Sequence, residues 1–356
     1  MGFTNVVGMR LNTSKPAVKS GLFVSVMVPA RNEEDNIGRC LEGLLNQDYQ
    51  DYEVLVIDDN SSDATWAILQ KKAEEDARLK IFKGKPLGSD WYGKPFALQQ
   101  LSEQATGDIL LFTDADTIHS PTSVSWAVTN IEHTKADFIS GFVGQILKSF
   151  GERVTVPVIF LLTGFVIPLF LNRFVRNGFF SAAVGQYIAI KRDVFVKTGG
   201  FEAFKKKTSE DVYMSRYIKE CGYKTEFLDL SDQVFCRMYH GFFAAVHGIG
   251  KNIYDFLGKN IFLLIFIALL ALLFFLMPFP LLIWSIVAHS PQLSFIVAIN
   301  ALTTLTWLIL FIARRMSWYN ALLWPVTYCC LVYMILWSGF RTIAGRGFSW
   351  KGRIVS

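Results

Sequence analysis

Short apolar runs alternate with amphipathic stretches through the first third of the chain. Phe23-Val24-Ser25-Val26-Met27-Val28-Pro29 is β-rich and stops at Pro29-Ala30-Arg31-Asn32. Apolar positions then recur at Ile37, Cys40, Leu41, Leu44 and Leu45 with the spacing of a helix that starts at Glu33. Glu53-Val54-Leu55-Val56-Ile57 predicts a second strand, ending in Asp58-Asp59-Asn60-Ser61-Ser62, with a helix from Asp63. Leu79-Lys80-Ile81-Phe82 is a weaker third strand, and a helix is expected over residues 94–105. Asp108-Ile109-Leu110-Leu111-Phe112-Thr113 predicts a fourth strand, closed by Asp114-Ala115-Asp116. Strands alternating with helices imply an α/β fold with a parallel sheet and right-handed crossovers. Polar clusters sit where strands end, and ligands bind at that edge of such sheets.

Further along, the pattern changes. Residues 155–172 are apolar but contain Pro157 and Pro168 and are flanked by Arg153, Arg173 and Arg176. The stretch is barely long enough to span a bilayer, so a helix lying in the interface or entering part-way is expected. Three longer apolar stretches follow near 260–287, 292–313 and 318–340, the first interrupted by Pro278 and Pro280. They read as membrane helices. Arg314-Arg315 favours an inner loop, and Arg341, Arg346, Lys351 and Arg353 favour an inner C-terminus. One span separates the two clusters, so either one stretch is re-entrant or the first is two elements. The expected division is a leader at 1–20, a catalytic-type domain at 21–255, transmembrane helices at 256–341 and a basic tail at 342–356.

Composition supports this division. Of 356 residues, 52% are hydrophobic and 18% charged, too apolar for an ordinary soluble enzyme. The net charge of +5 is dispersed and forms no basic run, which argues against nucleic-acid binding and fits a positive cytoplasmic face. The five cysteines include no CxxC pair, so neither a disulfide framework nor a zinc site is supported. No apolar h-region follows the basic N-terminus, so no signal peptide is expected. His240 and His247 stand seven apart without a suitably spaced third ligand.

The strand ends carry the candidate chemistry. Asp114 and Asp116 directly follow an apolar strand and would project into the ligand crevice, where carboxylates and a divalent cation manage diphosphate charge. A strand-end turn with a helix cap is the plain alternative. Asp58 and Asp59 suit a uracil edge or ribose hydroxyls, or else cap the helix that follows. Pro29, Ala30, Arg31 and Glu33 stand at the end of the first strand and join them as donor-binding candidates. Lys94 opens a helix, a place disfavoured for a cation unless an anion is near; a phosphate would explain it, as would simple solvation. Glu210 and Asp211 precede an amphipathic helix; either is a candidate general base or a cap. Lys251 and Asn252 suit a phosphate or a lipid head group, or a basic membrane edge. Phe242, Phe243 and Phe256 are candidates for a lipid entry.

Taken in order, VMVPARNEEDNIGRCL, VLVIDDNSSDAT, DWYGKPFAL, ILLFTDADT and SEDVYMSRYIKECGY resemble the family 2 glycosyltransferases with the GT-A (Rossmann-like) fold, over roughly residues 22–255. The resemblance implies inverting transfer from a nucleotide-sugar donor, with a UDP-sugar such as UDP-glucose expected. It also implies that Asp58 meets the nucleoside, that Asp116 meets the metal (Mg2+ or Mn2+) and diphosphate, and that Asp211 is the base. Gly185-Gln186-Tyr187, Arg237-Met238-Tyr239, Gly250-Lys251-Asn252 and Trp350-Lys351-Gly352-Arg353 are similar to the branch that glycosylates carotenoids and related isoprenoid lipids, which places Gln186 on the acceptor side. Ceramide and hopanoid glycosyltransferases share much of this layout. The QxxRW motif of processive members such as cellulose and hyaluronan synthases is absent, which implies transfer of a single sugar. The resemblance thus implies a multi-pass enzyme of the cell (inner) membrane, with its catalytic domain cytoplasmic and a bilayer lipid as acceptor. The alternatives are polyprenyl-phosphate glycosylation, a non-catalytic scaffold and a lipid transporter.

Overall fold

The computed structural model describes Asn5, Met9 and residues 13–16, 21–161, 168–207, 209–256, 260–343, 348–350 and 353–355. The chain packs as two units. One is Val7–Gln145 with Ile167–Arg237; the other contains Ile146–Val166 and Met238–Ser356.

The first unit is built on a sheet of eight strands: β1 (Val24–Ala30), β2 (Tyr52–Asp58), β3 (Leu79–Lys83), β4 (Ile109–Phe112), β5 (Thr117–His119), β6 (Phe138–Gln145), β7 (Ile188–Lys191) and β8 (Thr225–Cys236). Their order is β3-β2-β1-β4-β7-β6-β8-β5. The first four strands are parallel, as their alternation with helices predicts. The second half departs from an all-parallel sheet: β7 runs antiparallel to both β4 and β6, and β5 antiparallel to β8. The strands called from the sequence each lie within a residue or two of the observed ends. The helices expected to start at Glu33 and Asp63 instead start at Ile37 and Thr65. In both cases the polar residues after the strand are used in loop contacts: the Glu33 amide bonds the Thr65 hydroxyl at 2.8 Å, and Asp63 bonds that same hydroxyl at 2.6 Å.

Helices α1 (Ile37–Leu45), α2 (Thr65–Glu75), α3 (Gly93–Gln104), α4 (Ser123–Thr134), α5 (Arg192–Lys197) and α6 (Glu210–Glu220) accompany the sheet. Helix α1 buries Ile37, Cys40, Leu41 and Leu44, the helical stripe read in the sequence. One continuous core joins Met27, Ile57, Leu98, Phe112, Phe195 and Met214. Phe112, on β4 next to the acidic turn, meets Phe195 at 5.5 Å and Phe201 at 5.2 Å. Burying such a ring contributes roughly 1.5–3 kcal/mol, and the T-shaped contact adds about 1 kcal/mol. The core thereby fixes the strand whose end carries Asp114.

The second unit is helical. Helix Phe150–Thr155 opens with a reciprocal cap between Ser149 and Glu152, and Glu152 also accepts the Gly241 amide at 3.0 Å, just before helix Phe242–Phe256. Leu293–Ala313 and Trp318–Arg341 are long and apolar enough to cross a membrane. The stretch near 260–287 is two elements, Ile261–Leu276 and Pro278–Val287, bent by 40°, so it is either a broken span or a re-entrant pair. The bend coincides with a widened π turn at Ala271–Leu276 and with Pro278 and Pro280 in the next first turn, where proline is tolerated. Asn300 serves the break: its amide donates to the Pro278 carbonyl at 2.9 Å. Phe262, Phe274, Trp284 and Val287 are bare. The segment expected in the interface, 155–172, includes residues 162–167, which lie outside the described residues.

Candidate functional site

The carboxyl ends of β1, β2 and β4 lie side by side, because Ala30 pairs with Asp58 and Met27 with Phe112 in the parallel ladders. The loops leaving them are locked together. The Asp59 amide donates to the Ala30 carbonyl at 2.8 Å. Arg31 spans the same gap, its Nη1 reaching the Asp59 carbonyl at 2.5 Å. Asn32 and Asn60 hold left-handed backbone (φ 52° and 55°), a conformation asparagine tolerates better than most residues. The turn of Asn32 is held by Ser61 and Ser62. Pro29 is the penultimate residue of β1. Asp58 is fully buried; its Oδ2 pairs with Lys83 at 2.6 Å and its Oδ1 accepts the Ser61 amide at 3.2 Å.

A second cluster gathers around Lys94. Its ammonium lies 2.7 Å from Asp114 and 3.2 Å from Glu210. A cation in the first turn of α3 was expected to need an anion, and the anions beside it are these two carboxylates. Asp211 starts α6 next to Glu210; its Oδ2 accepts the Gly185 amide at 2.8 Å and its Oδ1 the Val212 amide at 2.8 Å. Gly185 passes so close that a Cβ there would stand 3.0 Å from the Lys94 nitrogen and 3.4 Å from Asp211 Oδ2. Burial alone would depress Lys94, but the charges of Asp114, Glu210 and Asp211 outweigh it and hold the ammonium far above neutrality. Burial raises Asp211, while Lys94 and the two amides pull it back; the balance stays above an ordinary aspartate. Glu210 is raised for the same first cause, with Lys94 opposing.

Asp116 is different. Its Oδ1 is buried with no hydrogen-bond partner. Burial, then the charges of Asp114 and Glu33, push the carboxyl up to about 7, against the pull of Lys94 and the Cys236 thiol. A buried unsatisfied carboxylate oxygen is costly unless something binds it. Cys236, at the end of β8, lies beside Asp116 and accepts from the Gln186 amide nitrogen at 3.3 Å. The remaining oxygen of Gln186 is also buried and unpartnered. Among the described residues no three His, Cys, Asp or Glu side chains form a ready metal centre. Asp114 and Asp116 nonetheless fit a divalent cation of the Mg2+ or Mn2+ kind, which takes one or two carboxylates and fills its other positions with water and substrate phosphate.

Sequence reasoning missed two supports of this site. Cys236 gave no local signal, because its place beside Asp116 depends on β8 joining the sheet. His119 lies under the acidic turn: Nε2 meets the hydroxyls of Thr113 and Thr117 at 3.0 Å each, and Nδ1 meets Ser123 at 3.0 Å. Burial drives it down to about 3, so it is neutral at physiological pH. Thr113 also donates to the Gln186 carbonyl at 2.8 Å, tying β4 to the segment that carries Gly185 and Gln186. Lys251 and Asn252 fall in helix Phe242–Phe256 of the other unit, and their side chains, like that of Phe256, are outside the described residues.

Comparison with known proteins agrees with this architecture. Residues 25–199 match the model of glycosyl transferase family 2. A beta-monoglucosyldiacylglycerol synthase of Trichormus variabilis is 41% identical over 96 residues, 26% of this chain and 20% of that protein. A 4,4'-diaponeurosporenoate glycosyltransferase of Staphylococcus haemolyticus is 36% identical over 93 residues, 26% of this chain and 24% of that protein. The chain thus spans well under half the length of these curated relatives. A mannosyltransferase from Pyrobaculum calidifontis, solved with GDP-Man and Mn2+, superposes with a TM-score of 0.55 over 97% of this chain and 96% of that one, at 18% identity. This chain carries a glycosyl transferase family 2 domain of the GT-A fold.

Proposed function

We propose that the protein is a membrane-bound, inverting glycosyltransferase that moves one sugar from a nucleotide-sugar donor to the hydroxyl or carboxyl group of a membrane lipid. The observation that carries the reading is the strand-end cluster of Lys94, Asp114, Glu210 and Asp211 beside Asp116, whose Oδ1 is buried without a hydrogen-bond partner. Relatives named for diacylglycerol and diaponeurosporenoate support a lipid acceptor, and the bare apolar helices support membrane residence. A carotenoid or related isoprenoid and UDP-glucose are the substrates we assign. The lack of QxxRW supports single transfer, and the basic clusters support a cytoplasmic catalytic domain in the inner membrane.

In this mechanism the donor nucleoside lies against Asp58 and Asp59, framed by Pro29, Ala30, Arg31 and Glu33. Asp114 and Asp116 would hold Mg2+ or Mn2+, which supplies positive charge to the leaving diphosphate. Lys94 adds a second positive charge to that side. Gln186 and Glu210 face the acceptor, with Lys251 and Asn252 assigned to a phosphate or head group. Asp211 takes the proton as the acceptor oxygen bonds the anomeric carbon and the bond to the diphosphate oxygen breaks, its electron pair leaving with the diphosphate. A carboxylate raised by burial is the stronger base for that step. Two amide donors hold its oxygens in place.

The test is transfer of labelled sugar into extracted membrane lipid by the detergent-purified chain. Inverted anomeric configuration in the product, with turnover lost and donor binding kept in Asp211→Asn, is the expected result. Full turnover in Asp211→Asn would remove Asp211 as the base and favour an acceptor that is already anionic, such as a polyprenyl phosphate.

A further inference from the structure

We propose that His119 is a positioning residue for sugar transfer, holding the acidic turn in register with the segment that grips Asp211. The proposal rests on the donor and base roles assigned above and adds the residue that ties one to the other. His119 is the last residue of β5. Its Nε2 lies 3.0 Å from the hydroxyls of both Thr113 and Thr117, and its Nδ1 lies 3.0 Å from that of Ser123. All four side chains are buried. The two threonines reach in different directions. Thr117 donates to the Asp114 carbonyl at 2.6 Å, inside the acidic turn. Thr113 donates to the Gln186 carbonyl at 2.8 Å, one residue from the Gly185 amide that bonds Asp211 Oδ2.

Counting protons decides which ring nitrogen carries the hydrogen. A neutral imidazole has one N–H, and each hydroxyl has one proton. Both threonine protons are committed to carbonyls, which can only accept. Nε2 must therefore carry the hydrogen and share it between the two threonine oxygens. Nδ1 is then bare and takes the Ser123 proton. The other acceptor near Ser123, Gln47 Oε1, is already served by the Val124 amide at 2.9 Å. In the opposite tautomer one threonine would have to turn its proton onto Nε2 and release its carbonyl, freeing either the acidic turn or the segment beside Asp211. The residue is also wedged from the side of α1: a Cβ on Gly43 would stand 2.9 Å from the His119 carbonyl oxygen and 3.3 Å from the His119 Cβ. One ring thus directs two hydroxyl protons, one toward the metal-binding carboxylates and one toward the base.

A histidine that only stabilised the fold would lower the thermal midpoint and leave the site's parameters alone. The readouts are therefore two site parameters, measured on the full chain in detergent well below every midpoint. One is the Mn2+ concentration that half-saturates UDP-glucose binding. The other is turnover into extracted membrane lipid at saturating Mn2+ and UDP-glucose. Thr117→Val should raise the Mn2+ requirement about tenfold, the worth of one hydrogen bond, with turnover near wild type. Thr113→Val should cut turnover about tenfold with the Mn2+ requirement unchanged. His119→Ala should do both, and His119→Gln, whose amide N–H can stand where Nε2–H stood, should recover part of each. Should His119→Ala fail to fold, the two threonine variants carry the test. Folded variants that lose thermal stability alone, or threonine variants that both change the same parameter, overturn the proposal. Wild type that binds no UDP-glucose at any Mn2+ concentration would sink the donor reading, and this proposal with it.

Discussion

Lys94→Met is the perturbation whose consequence the structure defines most fully. The ammonium faces Asp114 at 2.7 Å and Glu210 at 3.2 Å, with Asp211 also contributing charge. At an effective dielectric constant of about 20, each contact is worth roughly 5–6 kcal/mol before desolvation is counted. Desolvation offsets most of that, and loss of one partner from a buried pair costs about 3–5 kcal/mol net, because the other charge is left alone. Removing a cation from a helix start returns about 0.5 kcal/mol. For a domain of this size the thermal midpoint should fall by about 10 °C. The pH dependence follows from the direction of the shifts. Lys94 is held far above neutrality, so its contribution is constant from mildly acidic to mildly alkaline pH. Without it, Glu210 and Asp211, already raised by burial, rise further. A carboxyl raised above its unfolded value favours the folded chain at low pH and loses that contribution as pH climbs. The drop in midpoint should therefore be larger at pH 8 than at pH 5.5, measured by differential scanning of the detergent-purified chain. A drop of less than about 3 °C, or one equal at both pH values, would refute the reasoning.

Three other outcomes are expected. Asp116→Asn should raise the thermal midpoint of the ligand-free chain, by more at pH 8 than at pH 5.5 and little near pH 3.5, since burial lifts the carboxyl from its ordinary value to about 7 and the charged form costs stability increasingly across that range; the same variant should lose metal-dependent donor binding. Gly185→Ala should keep the fold, checked by circular dichroism, yet cut turnover, because its Cβ lands 3.0 Å from the Lys94 nitrogen and 3.4 Å from Asp211 Oδ2. His119→Ala should cost about 2–4 kcal/mol by leaving Thr113, Thr117 and Ser123 without their shared partner. Wild type should also lose stability as pH falls from about 6.5 toward 3, as the unfolded His gains a proton that the buried His119 refuses; His119→Ala should lack that component.

The half of the sheet from β1 to β4 was legible because each strand is a short apolar run ending in polar residues, and each crossover helix carries its own periodicity. The rest was not. β7 is four residues, Ile188–Lys191, set between a loop and a short helix, and nothing local announces that it runs antiparallel between β4 and β6. The sequence pointed to Asp114, Asp116, Lys94, Glu210 and Asp211 as separate candidates, each with a capping or solvent alternative. Folding removes the solvent alternative for Lys94 by setting it among three carboxylates. Cys236 and His119 were invisible because their meaning lies in partners far along the chain or hidden behind the acidic turn. Lys83 lies one residue past the predicted third strand and was not a candidate; only the β2–β3 register sets it opposite Asp58.

The most direct test of the central claim is donor binding by the purified full chain, with a panel of UDP- and GDP-sugars, with and without Mn2+ or Mg2+, beside Asp116→Ala. Metal-dependent selection of one donor, lost in Asp116→Ala, is the predicted result. Folded wild-type protein that binds no donor under any of these conditions would contradict the account.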